Sequence, residues 1–331
     1  MAHARTPLLV RIAVVLSVVV TALGIVAYVS GRQTPIDIVA LVKHRDGVVL
    51  ESEMIPTNGI KLHVVQAGPK DGPPVVLLHG YPELWIAWRA QIERLAKAGF
   101  RVIAPDQRGY DASDKPPGIS AYRVENMVGD ILGLIQTLGY DRVDLAGHDW
   151  GGAIAWYLVI EHPEHFRRLV MFNAPHPLAW VDARKSEPQE KTINWFRLFF
   201  QIPVVPEVVG YANNWSLLTS NLRNTSRPGT FSDDDFDLYR WAWFRDGAAH
   251  SMINWYRAAF QYPHKIEGDG MVQVPTRIVW GMQDRFFENR MGRLSVPHCA
   301  NAELIEVAEA GHWLLHEEPE MTSQKMIEFL K

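Results

Sequence analysis

The sequence predicts an α/β fold built on a mostly parallel sheet with helices on both faces. Two observations lead to this prediction: short apolar runs alternate with helix-length segments up to Pro175, and the same alternation resumes at Thr276. Such alternation is typical of parallel sheets, because each parallel connection needs a crossover that a helix supplies. An aromatic-rich segment with few strand-like runs lies between the two stretches, and it predicts a helical insertion.

Several short segments have the length and composition of strands. Residues 60–64 alternate apolar and polar side chains and precede a turn rich in Gly and Pro, which predicts an edge strand. The continuous apolar run at 75–78 predicts a strand that is buried on both faces. Further strands are expected at 101–104, 142–146, 168–172, 276–280 and 304–307.

Helix-length segments separate these strands, at 84–98, 123–139 and 151–162. The insertion is expected to form a helical lid over the carboxyl ends of the strands, where α/β sheets bind ligands. The predicted parts are a membrane anchor at 1–31, a linker at 32–52, an α/β core at 53–175 and 269–331, and the lid at 176–268.

The composition excludes several classes of protein. Of the 331 residues, 47% are hydrophobic and 21% are charged, so the chain is able to bury a core without disulfides or metals. The formal net charge of −4 gives no reason to expect a nucleic acid partner. Cys299 is the lone cysteine, and no His/Cys spacing resembles a metal site. The sequence calls for no metal and no organic cofactor.

The N-terminal segment differs from the rest of the chain. Residues 12–30 carry no charge over 19 positions, which matches the length that a helix needs to cross a bilayer. A cleaved signal peptide has a shorter apolar stretch, and Tyr28 is poorly placed for a cleavage site. We therefore expect a retained single-pass membrane anchor. Arg11 and Arg32 flank the segment on opposite sides, so its orientation stays open.

The strongest single motif is Gly-His-Asp-Trp-Gly-Gly at 147–152, between a predicted strand and a predicted helix. This is the small-x-nucleophile-x-small pattern of a nucleophile elbow, with Asp149 in the place of serine. Small residues are needed because the turn is tight and the helix packs closely on the strand. The helix N-terminus favours a negative charge at this position. A helix-capping role for Asp149 is the structural alternative.

Two later positions favour the catalytic interpretation. Asp284 follows the predicted strand at 276–280, and His312 follows the one at 304–307. The chain order nucleophile, acid, histidine is that of α/β hydrolases. Because this order coincides with placement at strand ends, we predict a triad of Asp149, Asp284 and His312.

A further motif, His-Gly-Tyr-Pro-Glu at 79–83, follows the predicted strand at 75–78. In α/β hydrolases, the loop at this position supplies one backbone N–H to the oxyanion hole, and the residue after the nucleophile supplies the other. The predicted donors are therefore the backbone N–H groups of Tyr81 and Trp150. A plain turn at Gly-Tyr-Pro is compatible with that role.

Taken together, the motifs resemble those of the epoxide hydrolases in the α/β-hydrolase superfamily. The motifs are His-Gly-Tyr-Pro-Glu at 79–83, Asp-Gln-Arg-Gly-Tyr at 106–110, Gly-His-Asp-Trp-Gly-Gly at 147–152, Asn-Trp-Tyr-Arg at 254–257 and Gly-His-Trp at 311–313. The similarity runs from about residue 53 to the C-terminus, and haloalkane dehalogenases share the first three motifs. The apolar N-terminus is similar to that of the membrane-anchored members close to epoxide hydrolase 4.

The resemblance implies a role for each residue of the site. It makes Asp149 the nucleophile, His312 the base, Asp284 the acid that orients the base, and Tyr256 the lid residue that donates a hydrogen bond to the epoxide oxygen. We further predict a substrate pocket lined by His79, Pro82, Phe196, Tyr239 and Trp313.

Two positions depart from the family pattern. A second lid tyrosine is usual where Phe196 stands, and phenylalanine has no hydroxyl to donate. Tyr239 and Tyr211 are candidate substitutes, and the departure puts the rate, the substrate range and the reaction itself in question. Asp111 stands where glycine is common, and we expect it to affect only a turn.

A carboxylate nucleophile suits an epoxide, because attack by serine would leave a stable ether, whereas attack by a carboxylate leaves an ester that water cleaves. Asp149 needs no base for the first step, so His312 is available to activate water in the second. We therefore predict an enzyme that converts a small apolar epoxide and water to a vicinal diol, with lipid epoxides among the candidate substrates.

Two alternatives remain open on the sequence. The first is dehalogenation by the same Asp149. Halide departure needs N–H donors such as a Trp pair or an Asn after His-Gly, and the latter position here is Tyr81. Haloacetate dehalogenases have an Arg after the nucleophile, and here that residue is Trp150. The second is a membrane-tethered binding protein that kept the fold without turnover, which the missing hydroxyl at Phe196 keeps open.

Overall fold

The computed structural model describes residues 22, 38, 44–45, 47–186 and 195–331. Apart from Ala22, the predicted membrane anchor at 12–30 lies outside these residues, so it stays a prediction. Within the described ranges, none of the helices combines the length and the apolar character that crossing a bilayer requires.

Ten strands are described. Their bounds are β1 His44–Arg45, β2 Val48–Val49, β3 Glu51–Thr57, β4 Ile60–Ala67, β5 Pro74–Leu78, β6 Arg101–Pro105, β7 Val143–His148, β8 Phe166–Phe172, β9 Thr276–Gly281 and β10 Ala302–Val307. The first two form a separate antiparallel hairpin. The other eight form one sheet in the order β10-β9-β8-β7-β5-β6-β4-β3, in which β4 runs opposite to the other seven strands. The predicted mostly parallel sheet is confirmed.

The helices follow the strands in chain order. Their bounds are α1 Arg89–Lys97, α2 Val124–Thr137, α3 Asp149–Glu161, α4 Pro177–Ser186, α5 Trp195–Phe199, α6 Val205–Tyr211, α7 Ser216–Thr225, α8 Asp233–Trp243, α9 Ala248–Gln261, α10 Met291–Ser295, α11 Leu314–Glu317 and α12 Pro319–Leu330. Short 3-10 helices lie at Trp85–Trp88, Ile119–Tyr122, Pro163–His165 and Val296–His298.

The centre of the sheet is covered on both faces. Every residue of β5, β6 and β7 is buried. Because successive residues of a strand point to opposite faces, complete burial means that both faces are packed against other elements. Helix α1 packs against α12, and α2 packs against α3.

The beginning of the sheet differs from prediction in two respects. Residues 60–64 are predicted as an edge strand, but β4 lies between β3 and β6, and β3 is the edge. The alternating pattern misleads because the polar His63 is buried, where its Nδ1 lies 2.7 Å from Asp106 Oδ2. The segment predicted as a linker also contains β1, β2 and the first residues of β3.

Helices α4–α9 are inserted between β8 and β9, and we call the described residues 177–186 and 195–264 the lid. Ion pairs join the lid to the core. Lid residue Arg245 contacts Asp111 Oδ1 at 2.5 Å, and lid residue His264 contacts Glu161 Oε1 at 2.5 Å and Glu125 Oε1 at 3.1 Å. These contacts hold the lid at both ends of its longest helix, α9.

The expectation that Asp111 affects only a turn is wrong. Its φ of 36° is left-handed and fits a tight turn, but its carboxylate is buried and pairs with Arg245 of the lid. The same carboxylate lies 3.9 Å from His63 Nδ1, in a buried cluster with Asp106. Asp111 therefore links the core to the lid through charge.

Candidate active site

The candidate nucleophile stands at the bend between β7 and α3. Asp149 is the first residue of α3 and has a left-handed φ of 49°, a conformation that Asp tolerates better than most residues. This geometry lifts the carboxylate out of the sheet at the carboxyl end of β7. It is the strained strand-to-helix turn that the elbow motif predicts.

The glycines of the elbow are explained by close backbone approach. A Cβ at Gly151 would lie 2.2 Å from the carbonyl oxygen of Leu78, and a Cβ at Gly152 would lie 2.3 Å from the Cβ of Ala174. Both distances are shorter than side-chain carbons tolerate, so only glycine lets α3 pack this closely against β5 and the end of β8.

The three predicted triad residues come together at the ends of their strands. His312 Nδ1 lies 2.9 Å from Asp284 Oδ2, and His312 Nε2 lies 3.6 Å from Asp149 Oδ2. A carboxylate only accepts hydrogen bonds, so His312 Nδ1–H donates to Asp284 and the neutral ring has its lone pair on Nε2. That lone pair faces the nucleophile and the space beside it.

Asp284 is held by several donors. Its Oδ1 accepts backbone N–H groups from Phe286 at 2.7 Å and Phe287 at 3.0 Å, and its Oδ2 accepts Asn173 Nδ2–H at 2.6 Å. Burial alone would raise the pKa of Asp284, but His312 and these donors outweigh it and lower that pKa. Asn173, which the sequence analysis missed, follows β8, and its position at a strand end is the one signal that could have found it.

Burial and charge act in opposite directions on His312. Burial would lower the pKa of its ring, but the carboxylates of Asp284, Asp149 and Glu83 prevail and raise it. The site therefore stabilises an imidazolium, which is the form that His312 adopts after it accepts a proton.

One of the two predicted oxyanion-hole donors contacts the nucleophile. The backbone N–H of Tyr81 donates to Asp149 Oδ1 at 2.9 Å. The backbone N–H of Trp150 stays a predicted donor. Because Oδ1 bonds to Tyr81 and Oδ2 faces His312, the two carboxylate oxygens occupy different surroundings.

Tyr256 lies on α9 in a cluster of aromatic side chains. Its ring centroid is 5.1 Å from those of Tyr81 and Trp150, 4.8 Å from that of Phe200 and 5.8 Å from that of Phe196. Burial, followed by the charge of Asp149, raises the pKa of Tyr256 well above its usual value, although a hydrogen bond from the Trp150 side chain opposes this. The Tyr256 hydroxyl therefore stays protonated beside the nucleophile.

A cavity of about 770 Å³ joins these residues. Core residues at its base include Asp149, His312 and Trp150, and its walls are mostly apolar. Of the predicted pocket residues, the ones that line it are Pro82, Phe196 and Trp313. The aromatic ring of Phe196 therefore lies beside Tyr256, at the position where the family pattern has a second lid tyrosine.

The prediction that His79 and Tyr239 line the pocket is wrong. His79 is buried away from the cavity, where its Nε2 accepts the backbone N–H of Gln107 at 3.0 Å. The Tyr239 hydroxyl donates to Glu83 Oε1 at 3.1 Å and does not reach the cavity. Tyr211 packs against Phe244 and also lies outside the cavity lining.

A buried acidic group supports the triad from behind. Glu83 Oε1 accepts His316 Nε2–H at 2.6 Å, and its Oε2 lies 3.2 Å from His148 Nδ1. His148 Nε2–H in turn donates to the backbone carbonyl of His312 at 2.9 Å. Burial alone would raise the pKa of Glu83, but the two neighbouring histidines lower it, so the carboxylate is ionised. This chain of contacts holds the backbone of His312 in place.

Comparison with known proteins agrees with this geometry. Residues 73–319 match the family described as the alpha/beta hydrolase fold. The chain is 42% identical over 286 residues to the AB hydrolase superfamily protein YfhM of Bacillus subtilis (strain 168), a match that covers 86% of this chain and 99% of that protein. It is 34% identical over 284 residues to Epoxide hydrolase 4 of Homo sapiens, covering 84% of this chain and 77% of that protein.

A solved structure gives the same result. The crystal structure of a Bacillus megaterium epoxide hydrolase in complex with an inhibitor is similar with a TM-score of 0.75 and 29% identity, and the match covers 84% of this chain and 99% of that one. The family match spans most of the chain, and the relatives cover it from the sheet through the lid. The protein is therefore an epoxide-hydrolase-like member of the α/β-hydrolase fold family.

Proposed function

We propose that this enzyme hydrolyses an apolar epoxide to a vicinal diol through an alkyl ester of Asp149. The observation that carries the proposal is that the two oxygens of the Asp149 carboxylate have different partners. Oδ1 accepts the N–H of Tyr81, while Oδ2 faces His312 at the wall of a mostly apolar cavity. Relatives and solved structures named as epoxide hydrolases support the reaction type.

In the first step, Oδ2 of Asp149 attacks one carbon of the epoxide. A new C–O bond forms, and the bond between that carbon and the ring oxygen breaks, with its electron pair passing to the oxygen. The resulting alkoxide is a strong base, and Tyr256 donates a hydrogen bond and then a proton to it. Phe196 offers no hydroxyl, so Tyr256 receives no help from that position.

In the second step, His312 accepts a proton from water through Nε2, and the hydroxide attacks the carbonyl carbon of the ester. Oδ1 becomes the oxyanion, and the Tyr81 N–H at 2.9 Å stabilises it. One such donor changes rates by about 10²–10³-fold in other hydrolases. When the tetrahedral intermediate collapses, the leaving alkoxide carries the original Oδ2, takes the proton from His312 and departs as the diol. The new carboxyl group of Asp149, which keeps the oxygen from water, returns its proton to the Tyr256 phenolate.

One turnover in heavy-oxygen water tests this sequence of steps. With enzyme in excess over epoxide, we expect the Asp149 peptide to gain one heavy oxygen, while the first diol carries none. Peptide mass analysis measures the first quantity, and mass analysis of the diol measures the second. Heavy oxygen in the diol but not in the Asp149 peptide would show direct attack by water and refute the ester.

The variant His312→Gln separates the epoxide proposal from its alternatives. It should still form the ester but cleave it slowly, so that a covalent adduct accumulates on Asp149. Absence of an adduct with every epoxide tested would favour a binding protein without turnover. Release of chloride or bromide from haloalkanes, without diol formation, would favour the dehalogenase alternative.

We further propose that residues 12–30 anchor the enzyme in a membrane. Their uncharged length supports this, and the positively charged residues on both sides leave the orientation open. After alkaline carbonate extraction, the full chain should stay with the membrane pellet, and a variant without residues 1–31 should be released. Extraction of the full chain into the supernatant would refute the anchor.

A further inference from the structure

The cavity has an uneven distribution of charge. Among the described residues that line it, Asp149 is the only carboxylate. The charged side chains farther out are cationic or able to become so, namely Arg197, His264 and Arg285. Burial would lower the pKa of His264, but Glu161 and Glu125 raise it. His264 is therefore already paired with two carboxylates, and the exposed Arg285 is the cation of the rim that is suited to a ligand carrying a negative charge.

Arg285 lies on the His312 side of this rim. It directly follows Asp284, and the backbone N–H groups of the next two residues donate to the Asp284 carboxylate. The ring of Phe286, the neighbouring residue, lies 4.8 Å from the ring of His312. The turn that carries Arg285 is therefore fixed to the triad, while the Arg285 side chain is exposed.

Polar groups of the lid lie near the turn that carries Arg285. The ring of Phe286 lies 5.8 Å from that of Trp313, whose Nε1–H donates to Thr225 Oγ1 at 2.9 Å. Thr225 and Asn221 lie one turn apart on α7 and both line the cavity. Arg285 thus lies at a polar section of the rim, whereas the walls around Tyr256 are aromatic.

Arg285 also differs from the buried arginines of the protein. Arg108 pairs with Asp130 and Arg257 pairs with Glu207, so their guanidinium groups are already bound. Across the described ranges, the side chain of Arg285 forms no ion pair and no hydrogen bond. A guanidinium presents a planar set of donors that matches a carboxylate.

We propose that Arg285 binds a carboxylate of the substrate, so that the preferred substrate is an apolar epoxide that carries an acid group. This inference rests on the proposed epoxide hydrolysis at the same cavity. The acid group must stay at the rim, because a second negative charge next to Asp149 would be repelled. The substrate therefore has an apolar stretch between its epoxide and its carboxylate, with the epoxide at the triad.

A matched pair of substrates tests the role of Arg285, the epoxide of oleic acid and its methyl ester. We expect kcat/KM to be about twofold to fivefold higher for the acid, a size suited to one ion pair at an exposed site. Arg285→Met should remove this preference by raising KM for the acid more than KM for the ester. Arg285→Lys should retain part of the preference.

Two comparisons control for indirect effects. Arg293→Met removes an exposed arginine that pairs with Glu306 and does not line the cavity, and it should leave both substrates unchanged. Raising the ionic strength should lower kcat/KM of the wild type for the acid alone, because salt screens an exposed ion pair. An equal effect of Arg285→Met on acid and ester, or a preference that persists in that variant, would overturn the inference.

A binding measurement separates failure of this inference from failure of the proposed function. Oleic acid and oleamide have the same chain and no epoxide, and their affinities are measured by quenching of tryptophan fluorescence. Tighter binding of oleic acid that Arg285→Met abolishes supports the carboxylate contact, even if no epoxide is hydrolysed. Equal affinities for the two ligands in the wild type would refute the contact, whatever the turnover results show.

Discussion

Replacing Gly80 with alanine is expected to misplace the nucleophile. A Cβ at this position would lie 2.5 Å from the Asp149 Cβ and 2.8 Å from its Oδ1. Carbon atoms in good contact are about 3.5–4.0 Å apart, so the two residues must separate by about 1 Å. The Asp149 Cβ is fixed to the backbone of the elbow, so rotation of the side chain does not relieve the contact. We expect a loss of about 1–3 kcal/mol in unfolding free energy.

The effect on chemistry should be larger than the effect on stability. A displacement of about 1 Å costs about 100-fold in rate when it disturbs the attacking atom. The assay is the rate of alkylation with enzyme in excess, measured by rapid quench and mass analysis of the adduct, together with urea unfolding.

Gly139→Ala provides the matched control for Gly80→Ala. Gly139 has a left-handed φ of 78° and no atom within 4 Å of an added Cβ. Its replacement should cost about 1–2 kcal/mol in stability through backbone strain alone and leave the alkylation rate unchanged. Alkylation at the wild-type rate by folded Gly80→Ala, or equal slowing by Gly139→Ala, would rule out the contact with Asp149 as the cause.

Tyr256→Phe should slow alkylation by about 10²–10³-fold because the alkoxide loses its donor, and adding Phe196→Tyr should restore part of that rate in rapid-quench assays. Cleavage of the ester should accelerate as pH rises, since His312 must be neutral to accept a proton. Burial lowers the pKa of His312, but nearby carboxylates raise it. Alkylation removes the charge of Asp149 and so lowers the pKa of His312 in the ester. The midpoint of the pH profile for ester cleavage should therefore lie below the midpoint for titration of His312 in the free enzyme. Equal midpoints in pH-jump experiments would contradict this. Glu83→Ala should lower the unfolding free energy in urea by about 1–3 kcal/mol for each buried donor left without an acceptor, since His316 Nε2–H and the Tyr239 hydroxyl both donate to Glu83, and a total loss below about 1 kcal/mol would argue against these hydrogen bonds.

The strands from β5 to β10 were predictable because their signals are local. Each is a short apolar run bounded by turn residues, and this pattern indicates a strand without knowledge of the residues that pack against it. The edge of the sheet was not predictable in this way. The side chain of His63 looks like the polar face of an edge strand, but Asp106, which is 43 residues away, keeps it buried.

In the candidate site, too, local features were predictable and contacts between distant residues were not. Asp149, Asp284 and His312 were brought together in the prediction by chain order and by their strand ends, which are local features. The direction of a side chain depends on distant partners. His79 turns away from the cavity toward Gln107, 28 residues on, and Tyr239 turns toward Glu83, 156 residues back. Adjacency to a motif therefore identified the neighbourhood of these residues but not their contacts.

The insertion of the lid between β8 and β9 has a consequence for engineering. The groups that would form and cleave the ester stand on the sheet, whereas the hydroxyl of Tyr256 and much of the cavity wall belong to the insertion. β8 and β9 are paired neighbours, so the sheet is continuous without the helices between them. A chimera that carries a relative's insertion would keep the residues that form and cleave the ester, but it would take its hydroxyl donor and its substrate range from that relative. The new insertion must also supply a positively charged partner for Asp111 in the place of Arg245.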